Sequence, residues 1–176
     1  MKVLAPLYED APRMCPVRAL PPYRHVPGLT PHPVNDLRGH SYGGDALLGF
    51  GPPWESCEAF LYGIDLYHQG YLWESHEAWE PLWRALGRSS MEGCVVQALI
   101  RNSAALLKAH LENWRGTDRH SRAAFALLGT VLAQRGAGCR ILRMDVMDFM
   151  DAMERCYGEL WRGHYELGPP PRIVLR

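Results

Sequence analysis

The sequence predicts an all-α protein, an antiparallel bundle of about five helices with an extended, proline-rich N-terminal arm packed on it. Ten of the fourteen prolines precede Trp54. After that residue, apolar side chains recur at spacings of three and four, which is typical of amphipathic helices. The segments between these helices are short, and this favours antiparallel neighbours. The predicted units are an arm over residues 1–53, a helical bundle over 54–165 and an extended tail over 166–176.

The arm combines turn-forming residues with many side chains that need a packing partner. Proline fixes φ and removes a backbone donor, so a regular helix is excluded there. A disordered leader usually carries fewer aromatic residues and more charge. We therefore expect an ordered arm that wraps over the bundle through the following side chains: Tyr23, His25, Val26, Leu29, His32, Val34, Leu37, His40, Tyr42, Leu47, Leu48 and Phe50.

Helix ends are predicted from glycines and capping residues. A first helix extends from Trp54 to Gly70, and a second over about 71–86, where Gly87 ends it. Ser89 is the predicted N-cap of the third helix, because Glu92 three residues later completes a capping box. This helix is expected to reach 114, a fourth capped at 117–118 to reach 136, and a fifth to extend from 145 to about 161. No alternating pattern of useful length predicts a strand.

Composition excludes several functional classes. The chain has 19 basic and 19 acidic residues in 176, so general nucleic-acid binding is not expected. Its apolar runs are far shorter than a membrane span, and the N-terminus lacks the apolar core of a signal peptide. Five cysteines without a CxxC pair favour a cytoplasmic protein in which most of the thiols are core side chains: Cys15, Cys57, Cys94, Cys139 and Cys156.

The second helix carries the residues with the clearest chemical potential. His76 and Glu80 are one helical turn apart and share a face, whereas Glu77 points about 100° away from His76. An imidazole and a carboxylate at this spacing can present two ligands to one metal ion. Alternatively, Glu80 can fix the tautomer of a basic His76. Because position 80 is not histidine, the zinc-protease motif HExxH is incomplete.

A metal ion would need further ligands from elsewhere in the chain. The arm offers His32, between two prolines, and His40, so the hypothetical metal ligands are His76, Glu80, His32 and His40. Asp36, His68 and His110 are further candidates, whereas His25 and His164 are assigned to the surface. The expected pocket wall comprises Trp73, Trp79, Trp83, Arg84 and Gln97.

Structural interpretations of the same residues stay open. Glu80 and Arg84 form a favourable i,i+4 pair, a buried histidine bonded to a carboxylate is often structural, and a tryptophan stripe is often core. Basic residues of the fourth helix are interpreted as a solvated face rather than an anion site: Arg115, Arg119, Arg122 and Arg135, with His120. No GxGxxG, P-loop or GxSxG motif occurs.

The run from Tyr67 to Arg84, with His76-Glu77-Ala78-Trp79-Glu80 at its centre, resembles the signature of the bacterial and archaeal family called domain of unknown function 309 (DUF309). Segment 96–108 is similar to its second conserved segment, with Ala98 and Arg101 in place of glycine and glutamine. Segment 116–123 matches the third only loosely, and the arm is similar to an extension of some bacterial members. The resemblance implies an all-α bundle and supports His76, Glu77 and Glu80 as the site, but it implies no reaction.

Two hypotheses remain. In the first, His76 and Glu80 are metal ligands, or a base and its orienting partner, and His32 and His40 fold over them. In the second, the protein is a non-enzymatic interaction module in which His76, Glu77 and Glu80 anchor the arm. A small-molecule ligand, a protein partner or a second copy of the chain is compatible with these hypotheses.

Overall fold

Five helices dominate the computed structural model, which describes residues 4–44, 49 and 51–176. A short 3-10 turn, Trp54–Ser56, precedes the first helix. The helices are α1 (Glu58–His68), α2 (Leu72–Leu86), α3 (Met91–His110), α4 (Trp114–Arg135) and α5 (Val146–Trp161). A small hairpin of β1 (Arg140–Ile141) and β2 (Met144–Asp145) links the last two. Leu47, Leu48 and Phe50 lie outside the described residues.

Each helix packs on its neighbour in the chain, with α3 in contact with both α2 and α4, and α5 on α4. Because segments 69–71, 87–90 and 111–113 are short, consecutive helices lie side by side. The predicted all-α bundle of about five helices is therefore confirmed. Among the helices of the described residues, none has the length and apolar character to cross a membrane.

The core between these helices contains a polar network as well as apolar side chains. Asn102 of α3 donates from Nδ2 to the Tyr67 hydroxyl at 2.9 Å and accepts at Oδ1 from the Tyr157 hydroxyl at 2.8 Å. Tyr67 in turn donates to the Pro171 carbonyl at 2.6 Å. The three side chains are fully buried, so this network fixes α1, α3, α5 and the tail in one register.

The predicted boundary between the third and fourth helices is wrong. We expect one helix up to 114 and a cap at 117–118, but α3 ends at His110 and α4 begins at Trp114. The capping residue is Asn113, whose side chain accepts from the Gly116 backbone N–H at 2.9 Å. Glu112 adopts a left-handed φ of 56°, which ends α3 and turns the chain.

Other helix ends differ less from expectation. Ser90, rather than Ser89, caps α3 by accepting from the Gly93 N–H. The fifth helix is predicted to start at Asp145, but Asp145 is the N-cap of α5, since its carboxylate accepts from the Met147 and Asp148 N–H groups. The first predicted helix is broken at Cys57, whose extended ψ of 148° separates the 3-10 turn from α1.

The C-terminal tail packs on the bundle through α1. Ile173 is buried, and its backbone N–H donates to Nε2 of His68 at 3.2 Å. Burial, followed by the positive charge of Arg172, lowers the pKa of His68 to about 4. His68 therefore holds the tail as a neutral acceptor, which is a structural role rather than that of a metal ligand.

The described part of the arm contains no helix or strand and is fastened to the bundle by acidic side chains. Asp65 of α1, only 1% exposed, accepts from Arg13 Nε at 2.8 Å and from the backbone N–H groups of Met14 and Cys15. Glu58 pairs with Arg18 at 2.5 Å. Three donors on one buried carboxylate give the arm a fixed position on α1.

Candidate functional site

Helix α2 presents different side chains to three environments. Leu72, Ser75, Ala78 and Leu82 face the core, and the helix continues through Pro81 to a cap at Gly87, whose φ of 85° suits a residue without Cβ. Adjacent positions carry the polar side chains of interest, some facing the arm and others facing α3 and α4. The candidate site is therefore built on one continuous helix.

His76, Glu77 and Glu80 form a cluster on the solvent side of α2. Each offers a ligand atom, and these atoms all lie within 4.8 Å of one another. The side chains of His76 and Glu80 are each 30% exposed and that of Glu77 is 45% exposed. Two atoms bound to one zinc ion at about 2.1 Å are at most about 4.2 Å apart, so small side-chain rotations would close the cluster on an ion.

Glu77, rather than Glu80, is the partner of His76. Oε1 of Glu77 lies 3.1 Å from Nδ1 of His76, and this contact lowers the pKa of the Glu77 carboxyl. Glu80 instead accepts from Arg84 Nη2 at 2.7 Å, one turn further along. The interpretation in which Glu80 fixes the His76 tautomer is therefore wrong. His76 and Glu77 are adjacent on the helix and point about 100° apart, but the Glu77 side chain is long enough to reach the imidazole.

A pocket of about 220 Å³ opens beside this cluster, between α2, α3 and α4. Helix α2 contributes His76, Glu80 and Trp83, α3 contributes Gln97, Ile100, Arg101 and Ala104, and α4 contributes His120. The pocket thus combines an apolar floor with ionisable groups at its sides. Of the residues expected in the pocket wall, Trp83 and Gln97 are among the lining residues that the structure describes, whereas Trp73 and Arg84 are not.

The arm contacts α2 at Glu74, two residues before His76. The Glu74 carboxylate is 7% exposed and accepts from the His25 backbone N–H at 2.7 Å. Its Oε1 is also 3.1 Å from Nε2 of His40. The hydrogen bonds that anchor the arm to α2 therefore come from Glu74, and not from His76, Glu77 or Glu80 as the second hypothesis expects.

Histidines of the arm approach the cluster without joining it. The ring centroids of His25 and His32 lie 5.0 and 5.4 Å from that of Trp73. The ring of His76 also contacts Trp73, at a centroid distance of 5.9 Å. His40 is engaged by Glu74, and Nδ1 of His32 accepts from the Val34 and Asn35 N–H groups. The proposed four-residue ligand set is thus divided by the Trp73 ring.

Burial shifts the pKa values of two groups where the arm contacts α2. Desolvation raises the pKa of Glu74, which lies between the arm and the helix. Desolvation also lowers the pKa of His25, a residue that we assign to the surface from sequence but that is only 3% exposed. His25 is buried because its Nδ1 bonds Thr30 and the Pro31 carbonyl within a tight turn of the arm.

Trp79 is a second correction to the predicted site. Its side chain is fully buried in the core, and Nε1 donates to the Phe60 carbonyl at 3.1 Å. The indole fits there because α1 has a glycine opposite it, and a Cβ added to Gly63 would lie 2.1 Å from Nε1. Trp79 therefore joins α1 to α2 and does not line the pocket.

Three residues of the site and its surroundings are not predicted from the sequence. Glu74 lies in the same acidic run as Glu77 and Glu80, so nothing in the pattern distinguishes it. Arg101 appeared only as a departure from a family segment, and His120 was assigned to a solvated face. The i,i+4 spacing of Gln97 and Arg101 on α3 was the available signal for a shared wall.

Asp36, His110 and His164 take no part in the cluster. Asp36 pairs with Arg38, and His164 is an exposed partner of Glu159. His110 has a buried Nε2 without a hydrogen-bond partner among the described residues. Three of the five cysteines, Cys15, Cys57 and Cys156, are buried, which agrees with a packing role.

The sequence profile of the family described as "Domain of unknown function (DUF309)" matches residues 60–119. This match supports the assignment of the segment to the DUF309 family. It contains most of α1, all of α2 and α3 and the beginning of α4, so the His76, Glu77 and Glu80 cluster lies within it, as does Arg101. No curated protein and no solved structure matches the chain.

Proposed function

We propose that this DUF309 domain binds a divalent metal ion through His76, Glu77 and Glu80 at the rim of the pocket between α2, α3 and α4. The observation that supports the proposal is the proximity of the three potential ligand atoms, all within 4.8 Å. One imidazole and two carboxylates form a donor set suited to zinc and to other divalent first-row metals.

The environment of the cluster is compatible with an exchangeable ion. The three side chains are partly exposed, so a hydrated ion can reach them and the carboxylates retain freedom to rotate. Arg84, which now neutralises Glu80, is 63% exposed and can swing into solvent when an ion takes its place. Metal binding therefore replaces one surface ion pair rather than a buried one.

Ligands from a single helix surround only one side of an ion. The positions that remain would be open to water or to a ligand in the pocket, as in zinc sites that polarise a bound group. This arrangement favours a metal-assisted binding or hydrolytic role over a closed structural site. Arg101 and His120 on the other helices would then face the ligand.

The proposal is tested with zinc itself on protein purified without a histidine tag. Metal analysis and calorimetric titration of the untagged wild type should give one zinc ion per chain. His76→Ala and Glu80→Gln should each weaken zinc binding at least about tenfold, since each removes one of three ligands. His164→Ala is the matched control, because His164 also contacts an exposed glutamate, Glu159, at 2.7 Å.

The control variant should bind zinc as tightly as the wild type. A wild type that takes up no stoichiometric zinc would overturn the proposal. The same holds if His76→Ala and His164→Ala have equal effects, since the ion would then bind nonspecifically to surface histidines.

A second candidate function, an interaction module, is favoured by the surface of the arm. In the described part of the chain, five of the seven exposed large hydrophobic residues lie on the arm: Val17, Leu29, Val34, Leu37 and Tyr42. Leu37 is 79% exposed. Apolar side chains concentrated on one segment are typical of a surface that binds a partner.

Self-association is the form of this candidate that can be tested directly. Sedimentation velocity should show a concentration-dependent dimer for the wild type and a monomer for Leu37→Asp. A wild type that remains monomeric at high concentration would remove the second copy as the partner, and it would leave the metal proposal unaffected.

A further inference from the structure

Arg101 lies in the wall of the pocket, and none of the described carboxylates is its counter-ion. Its side chain is partly buried on α3, and it takes part in none of the ion pairs between described residues. Glu80 is the one carboxylate among the described residues that line the pocket, and it already accepts from Arg84. Partly buried guanidinium groups usually have an anionic partner, because burial without one costs free energy.

Two further nitrogen atoms of the pocket residues lack hydrogen-bond partners. Nε1 of Trp83 and Nδ1 of His120 are buried and have none among the described residues. The Trp83 atom can only donate. Nε2 of His120 lies 3.5 Å from Nη2 of Arg119, a donor, so the tautomer that accepts there carries its proton on Nδ1. These two atoms and the Arg101 guanidinium therefore offer donors to a ligand in the pocket.

The groups that shift the pKa of His120 by their charge are all basic side chains. Burial is the main cause that lowers the pKa of His120, and Arg119, Arg101, Lys108 and His76 add to it as neighbouring positive groups. No carboxylate offsets these groups among the causes of the shift. The α3–α4 side of the pocket thus has a positive potential, which attracts anions.

We propose that this pocket binds a small oxyanion, a phosphate or carboxylate group on a short apolar body, with Arg101, His120 and the Trp83 indole N–H as its donors. The guanidinium fork can bind two oxygen atoms of such a group, and the other two donors complete a site that needs only acceptors. Ile100 and Ala104 would contact the apolar body.

The size of the pocket limits the ligand class. A volume of about 220 Å³ is smaller than the roughly 300–1,000 Å³ of typical drug-sized ligand pockets. This volume suits a phosphomonoester or carboxylate of a few carbon atoms better than a nucleotide. The single unpaired guanidinium also favours one anionic group over a polyphosphate.

The inference deepens the proposed function, and it rests on that function only for an added effect of zinc. Two carboxylates, Glu77 and Glu80, balance the charge of a divalent ion, so Arg101 would still require an anion. An ion at the rim would supply one more contact to the same oxyanion. Binding in the absence of metal is therefore expected, and zinc should strengthen it.

The experiment is a calorimetric titration of the full chain with phenyl phosphate, benzoate and benzyl alcohol, each in EDTA and in zinc. The first two probes distinguish phosphate from carboxylate, and the alcohol is a neutral control of similar shape. We expect at least one anionic probe to bind in EDTA and benzyl alcohol to bind at least about tenfold more weakly, since the charge-assisted hydrogen bonds are lost.

Variants assign this binding to the pocket. Arg101→Gln should weaken binding of the anionic probe at least about tenfold. Arg101→Lys should have an intermediate affinity, because lysine keeps the positive charge but cannot form the two parallel hydrogen bonds of a guanidinium group. Arg115→Gln, at an exposed arginine outside the pocket lining, is the matched control and should bind like the wild type. In NMR spectra, the anion should shift the Trp83 indole N–H signal and raise the pKa of His120.

Each alternative outcome has a defined meaning. No anion binding in EDTA or zinc, equal binding of benzyl alcohol, or equal losses in the Arg101 and Arg115 variants would overturn the inference. Anion binding that requires zinc and disappears in His76→Ala would also overturn it, because the ion alone would then hold the ligand. Zinc titration without any probe reports separately on the proposed metal site.

Discussion

Replacement of Asp65 by alanine tests how firmly the arm is part of the folded protein. Asp65 is almost completely buried on α1 and accepts hydrogen bonds from Arg13 Nε at 2.8 Å, Met14 N at 2.6 Å and Cys15 N at 2.8 Å. The Asp65→Ala variant removes all three acceptor contacts at once. Its main consequence should be release of the arm from α1.

The expected loss of stability follows from the burial of the donors. Removing one member of a buried ion pair typically costs about 3–5 kcal/mol, because its partner stays behind without compensation. Arg13 is 26% exposed and can regain water, but the Cys15 N–H is buried and cannot without movement of the arm. We therefore expect a loss near the lower end of this range, and a decrease in Tm of roughly 10 °C for a chain of this size.

Urea unfolding followed by circular dichroism measures the free energy, and limited trypsin digestion reports on the arm. Asp118→Ala is the matched control, because Asp118 forms an exposed ion pair with Arg122 at 2.8 Å on α4. This control should lose less than about 1 kcal/mol. In Asp65→Ala, trypsin should cut within the arm before it cuts the helices.

Equal unfolding midpoints for the Asp65 and Asp118 variants would refute the reasoning. So would an arm that resists trypsin equally in Asp65→Ala and in the wild type. Either result would mean that the contacts of Asp65 contribute little to holding the arm, and that other contacts fix it.

Two further predictions concern buried ionisable groups. Glu74→Gln should destabilise the protein by about 1–3 kcal/mol in urea unfolding, because a neutral amide oxygen accepts weaker hydrogen bonds from the His25 N–H and from His40 than a carboxylate does. The exposed Glu77→Gln should change stability by less than about 0.5 kcal/mol, and equal losses in the two would contradict the arm contact. His68, with a pKa of about 4 against an ordinary value of 6.5, contributes stability that is present above pH 6.5 and lost as the pH falls through 4. Between pH 7.5 and 4.5 the wild type should therefore lose roughly 3 kcal/mol more than His68→Gln, and parallel pH profiles of the two proteins would show this account of His68 to be incorrect.

Helix content was readable from sequence because it depends on local periodicity. The spacing of apolar residues predicts five helices, and the predicted start of the fifth, Asp145, lies one residue before α5. The boundary between α3 and α4 was not readable, because Asn113 and the Thr117-Asp118 pair are all capable caps. Tertiary packing selects Asn113 as the cap, because the packing of α4 buries Gly116 and Thr117 within the helix.

The cluster of His76 with its glutamates was predictable for the same local reason, whereas its partners were not. Residues one turn apart on a helix must be neighbours, whatever surrounds them. Which glutamate meets the arm depends on where the arm crosses α2, and it crosses at Glu74. The histidines of the arm therefore bind Glu74 and flank Trp73, instead of completing a ligand set with His76.

The sequence by itself determined the helices, the ordered arm and the presence of a histidine–glutamate face on α2, because each follows from residues close together in the chain. Only the tertiary structure determined which side of that face borders a pocket and which charged side chains line the pocket. Arg101 and His120 belong to different helices, and their proximity to His76 results from the packing of α3 between α2 and α4. Contacts between helices depend on burial across the whole bundle, and no local pattern encodes that sum.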